Sequence, residues 1–512
     1  MSTESSQNNK RIAKNTILLY LRMFLLMAIS FFTSRVILQT LGIEDYGIYN
    51  VVGGFVTMFT MITGALSTAV SRFLTVELGK GNVDSLRTVF SSSLMVQILL
   101  SLFVCIFAES IGIWFINTHM QIPEGREHAT YWVLQSSILS FVVSLILVPY
   151  NALIIAHEKM SAFAYIGILE ATLKLLIVYA LWLSPIDQLV LYATFMFSVQ
   201  ALLFLIYRTY CTKKFEECKG KAQFNKQIFK KIWGFAGWSL LGNGAGVLNV
   251  QGINMIMNVF FGVVVNASRG IANQINGVVQ QFVMNFSTAI NPQIIKSYSS
   301  GNKDYAFTLV CKGAKFSYYL MFCIALPIIM ETDAILKIWL GTPPPQASEF
   351  VVWTLLGLLP MMIGFTLVTL INAHGDIKRY QIVITLFGIA PFPLSWIAFF
   401  MGYSVISSLV IFFIVYYILI YVRLIVVHAK TKIPYNMYIK GVIVPTHLTT
   451  LLSIVLPLIV INTIDPSIGR LVLTTLTSII NSCLSIYTIG IDEGERLFVN
   501  SKVKLAINKI IK

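Results

Sequence analysis

The chain is predicted to be an all-α polytopic membrane protein, and three features of its sequence carry that prediction. Apolar residues fill 56% of the 512 positions and charged residues only 12%, about half the charged share of an ordinary soluble domain. The apolar residues form continuous runs of about 20, the length of α-helix that crosses roughly 30 Å of hydrocarbon. The runs lack the period-two alternation of a membrane β-barrel, so each must bond its own backbone as a helix.

About 14 such runs succeed one another. They centre near Leu26, Met58, Phe103, Leu139, Thr172, Met196, Gly246, Phe282, Leu320, Gly364, Gly388, Phe413, Ile454 and Thr475. Orientation follows from the cations. With the N-terminus in the cytoplasm, Lys10, Arg11, Lys14, Arg72, Lys80, Arg87 and Lys159 fall on the inner side, and so do the stretch from Arg208 to Lys231, Lys378 and Arg379, and the tail from Arg496 to Lys512. Roughly 30 of the 37 Lys and Arg residues lie on or beside that side, a strong positive-inside bias. The net charge of +15 is therefore topological. Scattered over short loops, these cations do not form the basic stripe that nucleic acid requires.

The polar Met1 to Asn9 segment and the long first apolar run do not resemble a cleavable signal peptide, so the first span is expected to be retained. The six cysteines have neither a disulfide framework nor metal-ligand spacing, and no cofactor is expected. No Gly-rich phosphate loop or nucleophile elbow occurs. The longest outer segment, about Glu331 to Glu349, is too short for an external catalytic domain. Glu44-Asp45, in the first outer loop, is read as a solvated turn beside Gly42 and Gly47 rather than as a catalytic acid; the chain is not expected to be an enzyme.

An internal duplication organises the spans. Lys10-Arg11-Ile12 returns as Lys230-Lys231-Ile232, Leu41-Gly42-Ile43 as Phe261-Gly262-Val263, Ser67-Thr68-Ala69 as Ser287-Thr288-Ala289, and Gly81-Asn82 as Gly301-Asn302. Four matches in one register point to a repeat. Each half starts from the cytoplasm with six spans, so the repeats are parallel. The expected layout is a first six-helix lobe over 1–210, a basic cytoplasmic linker over 211–231, and a second six-helix lobe over 232–430. Two additional spans over 431–490 and a basic tail over 491–512 complete it.

Polar residues at helical spacing mark faces turned from lipid. Span one carries Asn15, Arg22 and Thr33, and span two carries Asn50, Thr57, Thr60, Ser67 and Ser71. Span seven carries Asn243, Asn254 and Asn258, and span eight carries Asn273, Asn276, Gln280, Ser287 and Asn291. Lining of a cavity and hydrogen bonding between helices both account for such faces. The charged positions within spans are Arg22, Arg35, Arg269 and the Glu170–Lys174 pair at i,i+4. Arg22 and Arg35, 13 residues apart, lie roughly 140° apart around the helix and do not serve one point. Basic groups outnumber acidic ones, which suits a phosphate-bearing or acidic-sugar substrate and speaks against cationic drugs. Glu170 is the one deep acid offered for coupling to an ion gradient.

The opening KNTILLYLRMFLLMAISFFTSRVILQTLGIEDYGIYNVVGG, the ASRGIANQINGVVQQF start of span eight, NPQIIKSYSSGN after it and ILKIWLGTPPP resemble polysaccharide flippases of the multidrug/oligosaccharidyl-lipid/polysaccharide exporter superfamily. The likeness is greatest to O-antigen and capsule repeat-unit translocases. The resemblance implies two six-helix bundles around a cationic cavity open alternately to each side, and an undecaprenyl-diphosphate-linked oligosaccharide as cargo. By analogy Arg22, Arg35, Lys174 and Arg269 are candidates for diphosphate or sugar contacts, with Asn243, Asn273 and Gln280 beside them and Glu170 for proton or sodium coupling. Membrane lipids, the polysaccharide polymerase and the chain-length machinery are the expected partners, and the cytoplasmic membrane the expected location. The alternatives are the same fold carrying a drug or a peptidoglycan lipid precursor, and a membrane glycan polymerase or ligase.

Overall fold

The computed structural model describes the backbone over 2–60, 83–157, 159–182, 186–219 and 246–497, with isolated residues between these ranges. It describes side chains within them from residue 27 onward, except 282–289 and a few near 160, 182 and 292–299. Ten helices among the described residues are long and apolar enough to cross a membrane. The chain forms two compact units, residues 1–267 and 268–512.

The first unit contains α1 (Ser2–Thr57), α2 (Val83–Thr118), α3 (Glu127–Ala156), α4 (Met160–Trp182) and α5 (Gln188–Lys214). A short π-helical turn, Leu248–Gly252, follows and leads into α6 (Ile253–Phe261). Helix α3 packs against α2 and α5, while α1 packs against α3, α4 and α6. The residues of α2 that face away from these neighbours, Leu102, Phe103, Ile106 and Phe107, are exposed, as expected of a surface solvated by lipid.

Helix α7 (Val263–Ser299) begins the passage to the second unit. That unit contains α8 (Lys303–Met330), α9 (Thr332–Leu340), α10 (Ala347–His374), α11 (Lys378–Ile389), α12 (Pro391–Phe400) and α13 (Ser407–Thr431). Then come the short α14 (Tyr435–Tyr438) and the last two spans, α15 (Val444–Thr463) and α16 (Ile468–Ser485). Inside this unit α10 packs on α8 and α13. Spans ten and twelve thus pair as spans four and six do in the first unit, so each unit builds the same arrangement independently.

The duplication is visible in the backbone as well. Gly42 breaks α1 with φ 77° and ψ 175°, and Gly262, its counterpart 220 positions on, stands between α6 and α7 with φ 78° and ψ −177°. This region is open to glycine alone, at a cost of about 1–3 kcal/mol for other residues. Each glycine changes the chain's direction without a loop, so few polar backbone groups are left unbonded in an apolar setting. Just beyond Gly42 the chain runs so close to the start of α7 that a Cβ on Gly47 would lie 2.0 Å from the Val263 carbonyl oxygen.

The last two spans have no counterpart in the first half, yet they are integral to the second unit. Thr446, Thr449 and Ser453 on α15 and Thr474, Ser478 and Ser482 on α16 are buried, while Leu448, Leu451, Val455 and Ile480 are exposed. Tyr318 Oη on α8 meets Thr450 Oγ1 at 2.7 Å, and Tyr319 Oη donates to the Gly490 carbonyl at 2.9 Å. A fully buried ion pair, Lys315 to Glu495 at 2.6 Å, closes the same seam.

Gly42→Ala isolates the backbone argument, because its Cβ would meet nothing within 4 Å. The variant should be less stable by about 1–3 kcal/mol, read as a lower midpoint of thermal unfolding in detergent. Gly277→Ala, also in open space but within α7, should hold or raise that midpoint, since alanine favours a helix by about 1 kcal/mol over glycine.

Candidate functional site

The first unit holds a partly open cavity of about 430 Å³ between the part of α1 after Gly42, α3, α4 and α5. Ser136, Ser140 and Ser144 recur every fourth residue and therefore share one face of α3; with Ser137 they line it, together with Thr57 and Thr60, Tyr49, Gln200 and Lys174. The hydroxyl protons are largely committed to the helices that carry them. Ser140 donates to the Ser136 carbonyl at 2.7 Å, Ser144 to that of Phe141 at 2.7 Å, Thr57 to that of Gly54 at 2.9 Å and Thr60 to that of Thr57 at 2.7 Å. Bonds of this kind let hydroxyls lie inside an apolar bundle, and their oxygens still accept.

Lys174 is the one charged residue among those lining the cavity. One turn earlier on α4, Glu170 Oε1 accepts from its Nζ at 2.6 Å, and both groups are about a third or more exposed. The structure thus brings these two sequence candidates together and joins them to hydroxyls of spans two and four. It does not add Arg35, which is half-buried on α1 and outside the lining. Arg269 is buried on α7, and Asn273 and Gln280 are half-buried 4 and 11 positions later, within about 40° of it around the helix. The Arg22 side chain and Asn243 lie outside the described residues, as do Asn15, Ser67 and Ser71.

Of the asparagines on spans seven and eight, three are spent on packing. Asn254 Nδ2 donates to the Asn50 carbonyl at 3.1 Å, and Asn266 Nδ2 donates to Asn254 Oδ1 at 2.9 Å. Asn258 Nδ2 donates to Asn266 Oδ1 at 3.2 Å, while Asn258 Oδ1 accepts from the Gln121 amide at 2.9 Å. Gln251 Nε2 adds a bond to Thr57 Oγ1 at 2.9 Å. This chain of amides holds α6 within the first unit, although charge and repeat length place its span in the second lobe. Of the two accounts of the asparagine face, hydrogen bonding between helices is the one seen at Asn254 and Asn258.

Three features escaped sequence inspection. Glu44-Asp45 is more than a solvated turn, because Asp45 Oδ1 accepts from Arg126 Nε at 2.7 Å and the same guanidinium reaches Asp187 at 2.5 Å. Arg126 is 81 residues from Asp45, and no local pattern links them. Asp187 also caps α5, accepting from the Leu189 and Val190 amides at 3.0 and 3.1 Å. The serines of α3 were legible as a four-residue repeat within an apolar run. Arg423, on α13, lies against Gly364, where a Cβ would sit 2.7 Å from its Nη1; only the fold places it there.

The fold is similar to that of the lipid II flippase MurJ in an inward closed conformation, with a TM-score of 0.70 at 12% identity over 92% of this chain and 98% of that one. It is also similar to an inward-facing multidrug resistance MATE transporter of the MOP superfamily, with a TM-score of 0.63 at 11% identity over 82% and 98% of the two chains. The chain belongs to the polysaccharide biosynthesis protein family, whose pattern matches residues 12–297. A curated relative, the uncharacterized membrane protein EpsK of Bacillus subtilis (strain 168), is 22% identical over 310 residues, which span 60% of each chain.

The Arg126 cluster has a defined dependence on pH. Burial pushes the Asp187 carboxyl up, but hydrogen bonds from Arg126 and from the α5 amides outweigh it and hold the group below the usual carboxylate range. A carboxylate depressed on folding stabilises the fold above its unfolded value, about 3.9, and loses that contribution as pH falls through the lower folded value. The Asp187 contribution should therefore be constant from pH 5 to 8, whereas burial pushes the Asp45 carboxyl up despite the Arg126 guanidinium beside it, so its contribution is present at low pH and weakens as pH rises through that raised value. Arg126→Gln should lower stability at pH 7.5 by on the order of 1 kcal/mol, measured as a fall in unfolding midpoint, and by less at pH 5.5, because Asp45 left without its counter-charge can take up a proton there.

Proposed function

We propose that this protein translocates undecaprenyl-diphosphate-linked oligosaccharide repeat units from the inner to the outer leaflet of the cytoplasmic membrane, serving O-antigen, capsule or exopolysaccharide synthesis. It forms no covalent bond with its cargo. The observation that carries this reading is the chain's membership of the polysaccharide biosynthesis protein family, and the hydroxyl-bearing cavity of the first unit, which has room for part of a polar head group, supports it. A head group with two phosphates and several sugars does not cross hydrocarbon unaided, because each unpaired charge and hydroxyl costs several kcal/mol there. A polar cavity open alternately to the two sides removes that cost while the prenyl chain remains in lipid.

In this mechanism Arg22, Arg35 and Arg269 are separate candidates for contact with the diphosphate, Arg22 and Arg35 at different stages of its passage because they lie on different faces of one helix, since a guanidinium fork matches phosphate oxygens two at a time. Asn243, Asn273 and Gln280 serve the sugars next to it. Glu170, bonded to Lys174, is the candidate for coupling to a proton or sodium gradient: neutralising the carboxylate would free the ammonium from its partner. Both termini lie in the cytoplasm, in line with the cation distribution.

A second reading keeps the mechanism and changes the cargo to a peptidoglycan lipid precursor. The similarity in fold to the lipid II flippase favours it, and the two cargoes share a prenyl diphosphate. Cells deleted for the gene separate the readings. Under the first they accumulate lipid-linked repeat units on the inner leaflet and lose surface polysaccharide, with peptidoglycan synthesis intact; normal exposure of those units would sink the translocase, and normal exposure with shortened chains would indicate a polymerase.

Arg35→Ala and Arg269→Ala should each lower the initial rate of translocation in proteoliposomes about 10- to 100-fold, the equivalent of a charge-assisted hydrogen bond worth about 1.5–3 kcal/mol. The amount of protein in the membrane should not change. Lys at either position should restore only part of the rate, because it offers a point charge in place of a fork.

A further inference from the structure

The geometry points to a division of labour within the cargo site: the cavity of the first unit is a subsite for uncharged sugars of the head group, remote in chemistry from the diphosphate. This rests on the translocase reading and specifies which part of the cargo the cavity accepts.

Charge is the first argument. Lys174 alone among the lining residues is ionised, and Glu170 meets it at 2.6 Å, so the pair presents a dipole with no net charge. A diphosphate needs several uncompensated cations or aligned amides. Nothing lining this cavity supplies them, and a pyrophosphate placed here would lose its water without gaining counter-charge.

The second argument is the inventory of donors and acceptors. Sugar hydroxyls both donate and accept, and the lining offers both roles. Ser140, Ser144 and Thr60 have committed their protons to backbone carbonyls, so towards the cavity they accept; Thr57 is engaged on both sides, donating to Gly54 and accepting from Gln251. Ser136 is 8% exposed and faces the cavity; its hydroxyl bonds no other group among the described residues. The carboxamide of Gln200 supplies two further donors and an acceptor. Val56, Phe141, Met196 and Val199 complete the wall, and such surfaces match the C–H faces of a pyranose ring. An arriving sugar hydroxyl can bond to the Ser136 hydroxyl from the cavity side.

Size is the third. A volume of about 430 Å³ has room for a hexose ring or two of the head group. It lies within the usual range for ligand sites. An acyl chain would fill the volume but would leave the Ser136 hydroxyl and the Gln200 amide unpaired, a cost of about 1–3 kcal/mol for each.

The test uses full-length protein in proteoliposomes and two probes. One is the lipid-linked glycan extracted from cells deleted for the gene; the other is the same extract trimmed by exoglycosidases to its first sugar. Ser136→Val and Gln200→Leu should each change the ratio of the two translocation rates at least tenfold, to the disadvantage of the untrimmed glycan, at an unfolding midpoint equal to that of the wild type. Serine-to-threonine at 136 should restore most of the ratio, since it returns a hydroxyl. An unchanged ratio, whether both rates persist or both fall together, overturns the sugar subsite and leaves the translocase standing. Failure of the wild type to move either lipid overturns the translocase instead.

Discussion

Hydrocarbon offers no hydrogen bonds, and most features of this protein follow from that constraint. Each backbone amide and carbonyl must find its partner within the chain, which accounts for the dominance of long helices and for their joints. Where two helices meet at Gly42 or Gly262, one residue makes the change of direction. A conventional loop there would leave several groups unbonded, each at a cost of several kcal/mol. The strain that other residues would suffer at these angles, about 1–3 kcal/mol, is smaller than that cost, but glycine avoids both. This explains why a glycine stands at the same place in each half.

The same constraint governs side chains. Among the described residues several charges inside each unit come as pairs or clusters: Arg126 with Asp45 and Asp187, Arg470 with Glu331, Lys315 with Glu495, and Lys174 with Glu170. Their locations differ in consequence. Lys315 and Glu495 are almost fully buried, so loss of one partner would strand a charge, whereas Lys174 and Glu170 are partly open to a cavity. The first arrangement is a joint between the last segment and α8. The second leaves a titratable pair beside a wall of hydroxyls, which is what a site that exchanges polar cargo or an ion requires.

Much of the architecture was legible in the chain itself. Run length and the spread of cations define a helical membrane protein, and the offset of 220 residues revealed the duplication before the matching angles at Gly42 and Gly262 gave it a conformation. Lys174 and Glu170 were legible as a pair because i,i+4 spacing puts them side by side whatever surrounds them. The asparagines were not resolved: a polar stripe shows that a face avoids lipid without showing what covers it. At Asn254 and Asn258 the cover is other amides.

By itself, then, the sequence determined the fold class, the spans, the repeat and the local pairs, because each depends on residues close together in the chain or on composition. The tertiary structure decided which helices meet. It joined Arg126 to Asp45 across 81 residues, held α6 to α1 through Asn254 and Gln251, and brought the serines of α3 opposite Lys174 to form a cavity. Contacts between distant segments depend on how whole helices pack, and helical periodicity records only that a face is covered. The two glycines stand at the boundary between these levels: the repeat predicts that they are equivalent, and the backbone angles show the physical requirement that made them so.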